Sequence, residues 1–250
     1  MTTLECQIEN GVAAITLRRG KVNALDERTV EEWSSLLQQL ESDPNVRSVL
    51  LTGQGKFFSF GFDIPEFISY TKDEFRRYLI SFSDLYTQLY VFPKPVVAAL
   101  NGHTIAGGCM LALACDHRLM ASDIGKISLN EITFGSSVFA GSTEMLRECV
   151  GTRNAERILC SGAMYDAGEA KSLDLVDRAI PSEELMGEAK RLAAQLAGVD
   201  GRAFASIKRL IREPVAARMR ASERESIDEF VDIWYSEATW ARLQQIEIRS

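Results

Sequence analysis

KPVVAALNGHTIAGGCMLALACD, residues Lys94–Asp116, sets the architecture of this chain. Val96 to Leu100 is an apolar run of β-branched and small residues and reads as a buried strand. Asn101-Gly102 breaks the run with turn chemistry. Gly107-Gly108 follow, and Cys109 to Ala114 is apolar enough for a buried helix. The order is strand, loop, two glycines, helix. A helix start leaves backbone N–H groups unpaired and carries a partial positive charge. Glycine lets another molecule come close to those groups. The arrangement suits an anion, or an oxygen that becomes one during a reaction. Tight packing of a helix on a sheet is the other reading of the same residues.

On the N-terminal side, Leu4 to Ile8 and Val12 to Leu17 read as strands joined at Asn10-Gly11. Arg18-Arg19-Gly20-Lys21 is a short basic loop. Asp26 caps a predicted helix from Glu27 to Ser42 with Val30, Trp33, Leu37 and Leu40 on its apolar face. Arg47 to Thr52 is a buried strand that leads into a loop rich in glycine and phenylalanine, ending at Asp63. A long helix is predicted over Lys72 to Tyr90. Strand and helix alternate to this point, which implies parallel α/β layering. Beyond Asp116, strands are expected at Arg118–Ala121, Lys126–Leu129 and Leu175–Ile180. Helices are expected at Thr143–Val150, Arg153–Ser161 and Ala167–Leu173. After Pro181 the character is helical, with helices over Glu183–Leu196, Gly201–Arg212 and Ala216 to about Ile246. Ile227, Phe230, Val231, Trp234 and Trp240 give the last one an aromatic face, expected to pack on a neighbouring subunit or on the chain's own core.

Composition bounds the function. The chain has 250 residues, 46% hydrophobic and 25% charged, as in a soluble globular protein of one large domain with or without an appendage. A net charge of −7 argues against a nucleic-acid partner. The five cysteines are odd in number and lack metal spacing, so reduced core thiols in a reducing compartment are expected. The N-terminus lacks the basic start of a targeting segment, the C-terminal Ile248-Arg249-Ser250 is not a peroxisomal address, and no apolar run is long enough to span a membrane. The expectation is a cytoplasmic protein.

With two histidines, His103 and His117, neither a zinc centre nor a histidine triad is expected, and no metal site is assigned. His103 precedes the glycines and is a candidate for ligand contact; His117 reads as structural. Two backbone-donor loops remain, Ser59–Asp63 and Ala106–Gly108. Each follows a predicted strand and precedes a helical stretch. In a parallel sheet both would open at one edge, where their N–H groups can converge as an oxyanion hole. Glu131 lies among Ile127, Leu129, Ile132 and Phe134. Desolvation there raises a carboxyl toward the range of a general base. A turn or cap role is its structural alternative.

Taken in order, Phe58–Ile64 (FSFGFDI), Lys94–Gly102, Ala106-Gly107-Gly108-Cys109, Cys115-Asp116, Asn130-Glu131 and Gly135 resemble the crotonase superfamily, the enoyl-CoA hydratase/isomerase family. The resemblance implies an α/β, crotonase-like spiral of repeated ββα units with a helical C-terminal trimerisation region. It implies a catalytic core over residues 1–190, an oligomerisation region over 191–250, and a homotrimer or dimer of trimers. The implied substrates are acyl-CoA thioesters, with coenzyme A part of the substrate and no separate cofactor.

Carried over by position, the family's oxyanion donors fall on the N–H groups of Phe62 and Gly107. Phe62 departs from the small residue usual there. The coenzyme A sites fall on Lys21–Ala24 and Lys56–Phe60, with Gly61, Asp63, Ile64 and Gly108 beside them, and Arg18, Arg19 and Lys21 then face the coenzyme phosphates. Hydratases of the family use two glutamates; the first falls on Met110 and the second on Glu131. Hydration needs one group to orient water and another to manage the α-proton. Moving a double bond from the 3- to the 2-position needs one base. The chain therefore resembles the mitochondrial-type Δ3,Δ2-enoyl-CoA isomerases, with Glu131 as base. Phe139, eight residues on, stands where a dienoyl-CoA isomerase would carry an aspartate. A hydratase using Glu131 with Glu144, and a non-catalytic acyl-CoA binder closed by Phe60 and Phe62, are the alternatives.

Overall fold

The structure is a computed structural model that describes residues 2–246. It opens with β1 (Leu4–Glu9) and β2 (Val12–Leu17), paired antiparallel. Asn10 and Gly11 between them both have positive φ, as a two-residue hairpin of this hand requires.

From β2 onward one unit repeats: a strand joins the main sheet, a second short strand leaves it, and a helix follows. The first turn is β2, β3 (Ala24–Leu25) and α1 (Glu27–Ser42). The second is β4 (Ser48–Gly53), β5 (Phe57–Ser59), β6 (Gly61–Phe62), α2 (Ile64–Phe67) and α3 (Lys72–Tyr90). The third is β7 (Val96–Leu100), β8 (His103–Ile105) and α4 (Gly107–Ala114). The fourth is β9 (His117–Ala121), β10 (Ile127–Ser128), a 3-10 turn at Glu131–Phe134 and α5 (Ala140–Ser161). Then come α6 (Ala167–Ser172), β11 (Arg178–Ile180), α7 (Ser182–Ala197), α8 (Gly201–Trp234) and α9 (Glu237–Leu243).

The main sheet has the order β1-β2-β4-β7-β9-β11 and is parallel from β2 onward. The second strands form small parallel sheets of their own, β10-β8-β5 and β3-β6. This is the expected crotonase-like spiral. The sequence missed β3, β5, β6 and β8 because two or three residues are too few to show a period.

Both faces of the main sheet are covered, which explains the unbroken apolar run in β7. Val96, Ala98 and Leu100 face the larger core with α1, α3, α4, α5 and α8, while Val97 and Ala99 pack under α7. Side chains alternate across a strand, so one segment serves both layers. Ala189, Ala193 and Ala197 give α7 a flat face, and Ser48 Oγ donates to the Ala193 carbonyl at 2.8 Å.

Three helix predictions change. The two helices expected between Thr143 and Ser161 are α5, bent where Gly151 takes φ 75°. α8 runs through Pro214, where a break was expected. Val215, Ala216 and Met219 are buried beyond the proline, and Arg212 before it donates to the carbonyls of Tyr90, Ala114 and Cys115. Packing on both sides outweighs the roughly 3 kcal/mol that an internal proline costs. The helix expected to reach Ile246 instead stops at Trp234, and Ser236 caps α9. The strand at Leu175–Ile180 is also shorter than expected, as β11.

Residue 190 lies inside α7, and Gly198–Asp200 separate α7 from α8. The aromatic face of the C-terminal region packs on the chain's own core: Phe230 lies 4.6 Å from Phe139 and Trp234 4.7 Å from Phe75, ring to ring. Among the described residues no helix is long and apolar enough to cross a membrane. Ile248-Arg249-Ser250 lies outside the described residues.

Candidate active site

The start of α4 is built by close backbone contacts. A Cβ on Gly108 would stand 2.6 Å from the Ser59 carbonyl, and a Cβ on Gly61 would stand 2.9 Å from the Ile105 carbonyl and 3.1 Å from Gly107 N. Only glycines let the end of β5 and the strand β6 lie directly on the α4 N-terminus. Ala106, at φ 48° and ψ −117°, is a strained non-glycine residue at the turn into the helix. Its N–H donates to the Ser128 carbonyl at 2.8 Å, and its carbonyl accepts from Met110 N at 3.0 Å. Gly107 is therefore the first helical residue, with an N–H that has no intrahelical partner.

The other N–H expected to act as a donor is that of Phe62. In the β3–β6 ladder, Asp63 N–H donates to the Leu25 carbonyl at 3.1 Å. Hydrogen-bonding direction alternates along a strand, so the Phe62 N–H points away from β3. The Phe62 ring packs 4.9 Å from Phe82 and 5.2 Å from Tyr78.

These segments border a cavity of about 190 Å³ whose lining includes Phe60, Phe62, Ile64, Ala106, Met110, Phe139, Phe230 and Trp234. Asn130 and Glu131 also line it, and Glu131 is the one ionisable side chain among its described lining residues. Glu131 is buried and neither carboxyl oxygen has a hydrogen-bond partner among the described residues. Burial pushes its pKa up to about 8. A carboxyl so placed is a strong base once ionised. The Asn130 Oδ1 is likewise buried and unpartnered.

Other predicted residues lie elsewhere. Glu144 is held by Arg147 at 3.0 Å and Arg218 at 2.8 Å and does not line the cavity. His103 packs against Phe57 with tilted rings, centroids 5.1 Å apart, and is also absent from the lining. His117 sits 3.9 Å from Asp177. Lys21 and Lys56 are exposed, and Ala24 is buried. Asn23 stitches these two segments together, its Nδ2 donating to the carbonyls of Gln54 at 3.0 Å and Phe57 at 2.8 Å. Asn23 lies within the expected Lys21–Ala24 segment, but its structural role and positive φ carry no periodic signal in the sequence.

Both arginines expected to face the coenzyme phosphates carry ion pairs within the chain. Arg18 pairs with Glu5 and donates to Gln54. Arg19 pairs with Asp26, Asp63 and Glu66. Asp63, expected beside the substrate, caps α2 and spends its carboxylate on Arg19. A loop of basic residues looks free in one dimension because its acidic partners come from distant segments. Among the described residues no cluster of His, Cys, Asp and Glu could hold a metal ion.

A family model described as enoyl-CoA hydratase/isomerase matches residues 7–237. The chain is 36% identical over 213 residues to a probable enoyl-CoA hydratase of Bacillus subtilis, covering 84% of this chain and 82% of that protein. It is 30% identical over 222 residues to the mouse mitochondrial enoyl-CoA delta isomerase 1, covering 88% and 77%. The crystal structure of human mitochondrial delta3-delta2-enoyl-CoA isomerase superposes with a TM-score of 0.91 at 28% identity, covering 97% of this chain and 95% of that one. With the glycine-lined donors, the buried acid and the spiral of ββα units in place, the chain belongs to the enoyl-CoA hydratase/isomerase family.

Proposed function

We propose that the protein is a Δ3,Δ2-enoyl-CoA isomerase. The observation behind this reading is the lone ionisable side chain of the cavity, Glu131, with the apolar Met110 where a hydratase of the family holds its other glutamate. The Glu131 carboxylate takes a proton from C2 of a 3-enoyl-CoA. The C2–H pair becomes the C1–C2 bond of a dienolate, and the carbonyl pair moves onto oxygen, between the N–H groups of Phe62 and Gly107. The carbonyl then re-forms, the double bond settles between C2 and C3, and the same carboxyl returns its proton to C4. No atom is gained or lost, and the relay needs no cofactor. Preorganised donors at the developing oxyanion are worth about 3–4 kcal/mol each.

Lys21, Ala24, Lys56 and Phe60 are proposed to hold the coenzyme A portion. Exposed Ile207, Leu210 and Ile211 on α8 support the proposal of a trimer or dimer of trimers.

A hydratase reading draws on the name of the Bacillus subtilis relative. It needs a second group to hold water; Met110 has none to offer, and Glu144 is tied into ion pairs. The test is Glu131→Gln assayed with 3-hexenoyl-CoA. Loss of about 10²- to 10⁴-fold in kcat with acyl-CoA binding kept is expected. Turnover retained in that variant, or crotonyl-CoA hydration by the parent at isomerase-like rates, overturns the proposal. Binding without any turnover by the parent would favour the non-catalytic reading.

A further inference from the structure

The ionisable cluster nearest the site that the proton relay leaves unused is built on Arg19. Its Nε donates to Asp26 Oδ2 at 2.7 Å, Nη1 to Asp63 Oδ2 at 2.6 Å and to the Ala24 carbonyl at 3.3 Å, and Nη2 to Glu66 Oε2 at 3.0 Å. Four of the five N–H donors of a guanidinium are thereby used. Three carboxylates around one half-buried cation repel an incoming phosphate rather than invite it. One side chain ties the cap of α1 (Asp26), the cap of α2 (Asp63) and the backbone of β3 into a single block.

That block lies one residue from the reaction. Asp63 directly follows Phe62, whose N–H belongs to the Gly61–Phe62 peptide. Gly61 is at φ 91°, so nothing in its own conformational preference holds that peptide at one angle. It is held from both sides: upstream by the pairing of Gly61 with β3 and by the Gly61 N–H on Ser59 Oγ, and downstream by the Asp63 N–H on Leu25 and the Asp63 carboxylate on Arg19. Lysine could not replace the clamp, because its point charge lacks the planar fork that reaches several acceptors at once.

We propose that Arg19 is a positioning residue for the oxyanion hole, and that its clamp on Asp63, Asp26 and Ala24 aims the Phe62 N–H. This rests on the reading of Phe62 and Gly107 as donors to the thioester oxygen.

The experiment compares the parent with Arg19→Met, Asp63→Asn and the double variant, each checked for folding by circular dichroism and thermal melting. The probe is 2,4-hexadienoyl-CoA, whose absorption moves to longer wavelength when donors polarise its carbonyl, with no turnover required. Turnover is measured on 3-hexenoyl-CoA and on 3-hexenoyl-pantetheine, which lacks the nucleotide phosphates. Each single variant is expected to bind the probe within about threefold of the parent, to lose most of the red shift, and to lose about 10- to 100-fold in kcat on both thioesters alike. The double variant should be no worse than the poorer single one, since both break one clamp.

A red shift and kcat preserved in folded Arg19→Met and Asp63→Asn overturn the proposal. So does a loss confined to KM for the CoA ester, which would make Arg19 a phosphate ligand. A parent without any red shift removes the donors, and the proposal with them. A parent with the red shift but no isomerisation overturns the isomerase reading alone, and the spectra still decide the role of Arg19. If Arg19→Met does not fold, Asp63→Asn carries the same test, because asparagine keeps the cap and loses only the charge.

Discussion

Met110 and Glu131 line one cavity, the first from α4 and the second from the 3-10 turn after β10. A carboxyl at position 110 would make the pair that hydration needs. Met110→Glu is expected to raise crotonyl-CoA hydration at least about tenfold above the parent, followed by loss of the conjugated thioester absorbance. Two carboxyls in one apolar space also raise each other's pKa, so this activity should peak at higher pH than a lone acid allows. An unchanged background rate would mean that the missing acid is not what separates the two reactions here.

Burial pushes Glu131 up to about 8, so its acid form dominates in neutral solution. The base must be ionised to act. kcat/KM should therefore rise with pH along a limb centred near about 8, and that limb should vanish in Glu131→Gln.

Stability runs the other way. The folded-state pKa of Glu131 lies above its ordinary value of 4.5, so the folded form is favoured in acid and loses that advantage as pH rises through about 8. Glu131→Gln removes the dependence. Its melting temperature relative to the parent should be higher at about pH 9 than at about pH 5. An equal difference at both would show that the carboxyl is not desolvated in the folded protein.

Phe62 stands between the cavity and the aromatic row of α3, with Phe82 and Tyr78 behind its ring. Phe62→Ala keeps the backbone donor and removes the wall. Loss of about 3–5 kcal/mol in unfolding free energy is expected. The cavity of about 190 Å³ should take about six to eight carbons, since a benzene fits an apolar cavity of about 150 Å³. The preferred acyl chain should lengthen by about two to four carbons in the variant, read from kcat/KM across a series of 3-enoyl-CoA substrates. An unshifted series would place the chain elsewhere.

Asp116 anchors α8 to the sheet. Its Oδ2 accepts from Lys208 Nζ at 2.7 Å and from Val96 N at 2.8 Å, and its Oδ1 lies 3.1 Å from Arg212. Burial pulls Lys208 down to about 8, with Asp116 resisting that shift. Asp116→Ala leaves two cations facing each other and is expected to cost about 3–5 kcal/mol in chemical denaturation. Lys208→Met should cost less, because Asp116 keeps Arg212 and the Val96 N–H.

Much of the architecture is written in local patterns. The five apolar residues of β7, the Asp26 cap and stripe of α1 and the span of α3 all stand where periodicity and the cap place them. Glu131, Phe62, Gly107 and Met110 were singled out by motif and neighbouring chemistry, and folding brings them to one cavity or its rim. The ion pairs of Arg19 were not legible locally, because Asp63 and Glu66 lie 44 and 47 positions away along the chain. α8 was misread because a proline's local penalty is smaller than the packing on either side of it.

Residue order alone established alternating strand and helix, a glycine-opened helix start and one acid among apolar neighbours, since each depends on residues a few positions apart; the second strand of each unit came from the family resemblance. Three-dimensional packing settled which basic groups are already neutralised, that the C-terminal aromatic face covers its own chain's cavity, and how deeply Glu131 is buried. Those properties come from segments that meet only after the chain has closed on itself, and charge and solvation are set by what stands nearby in space.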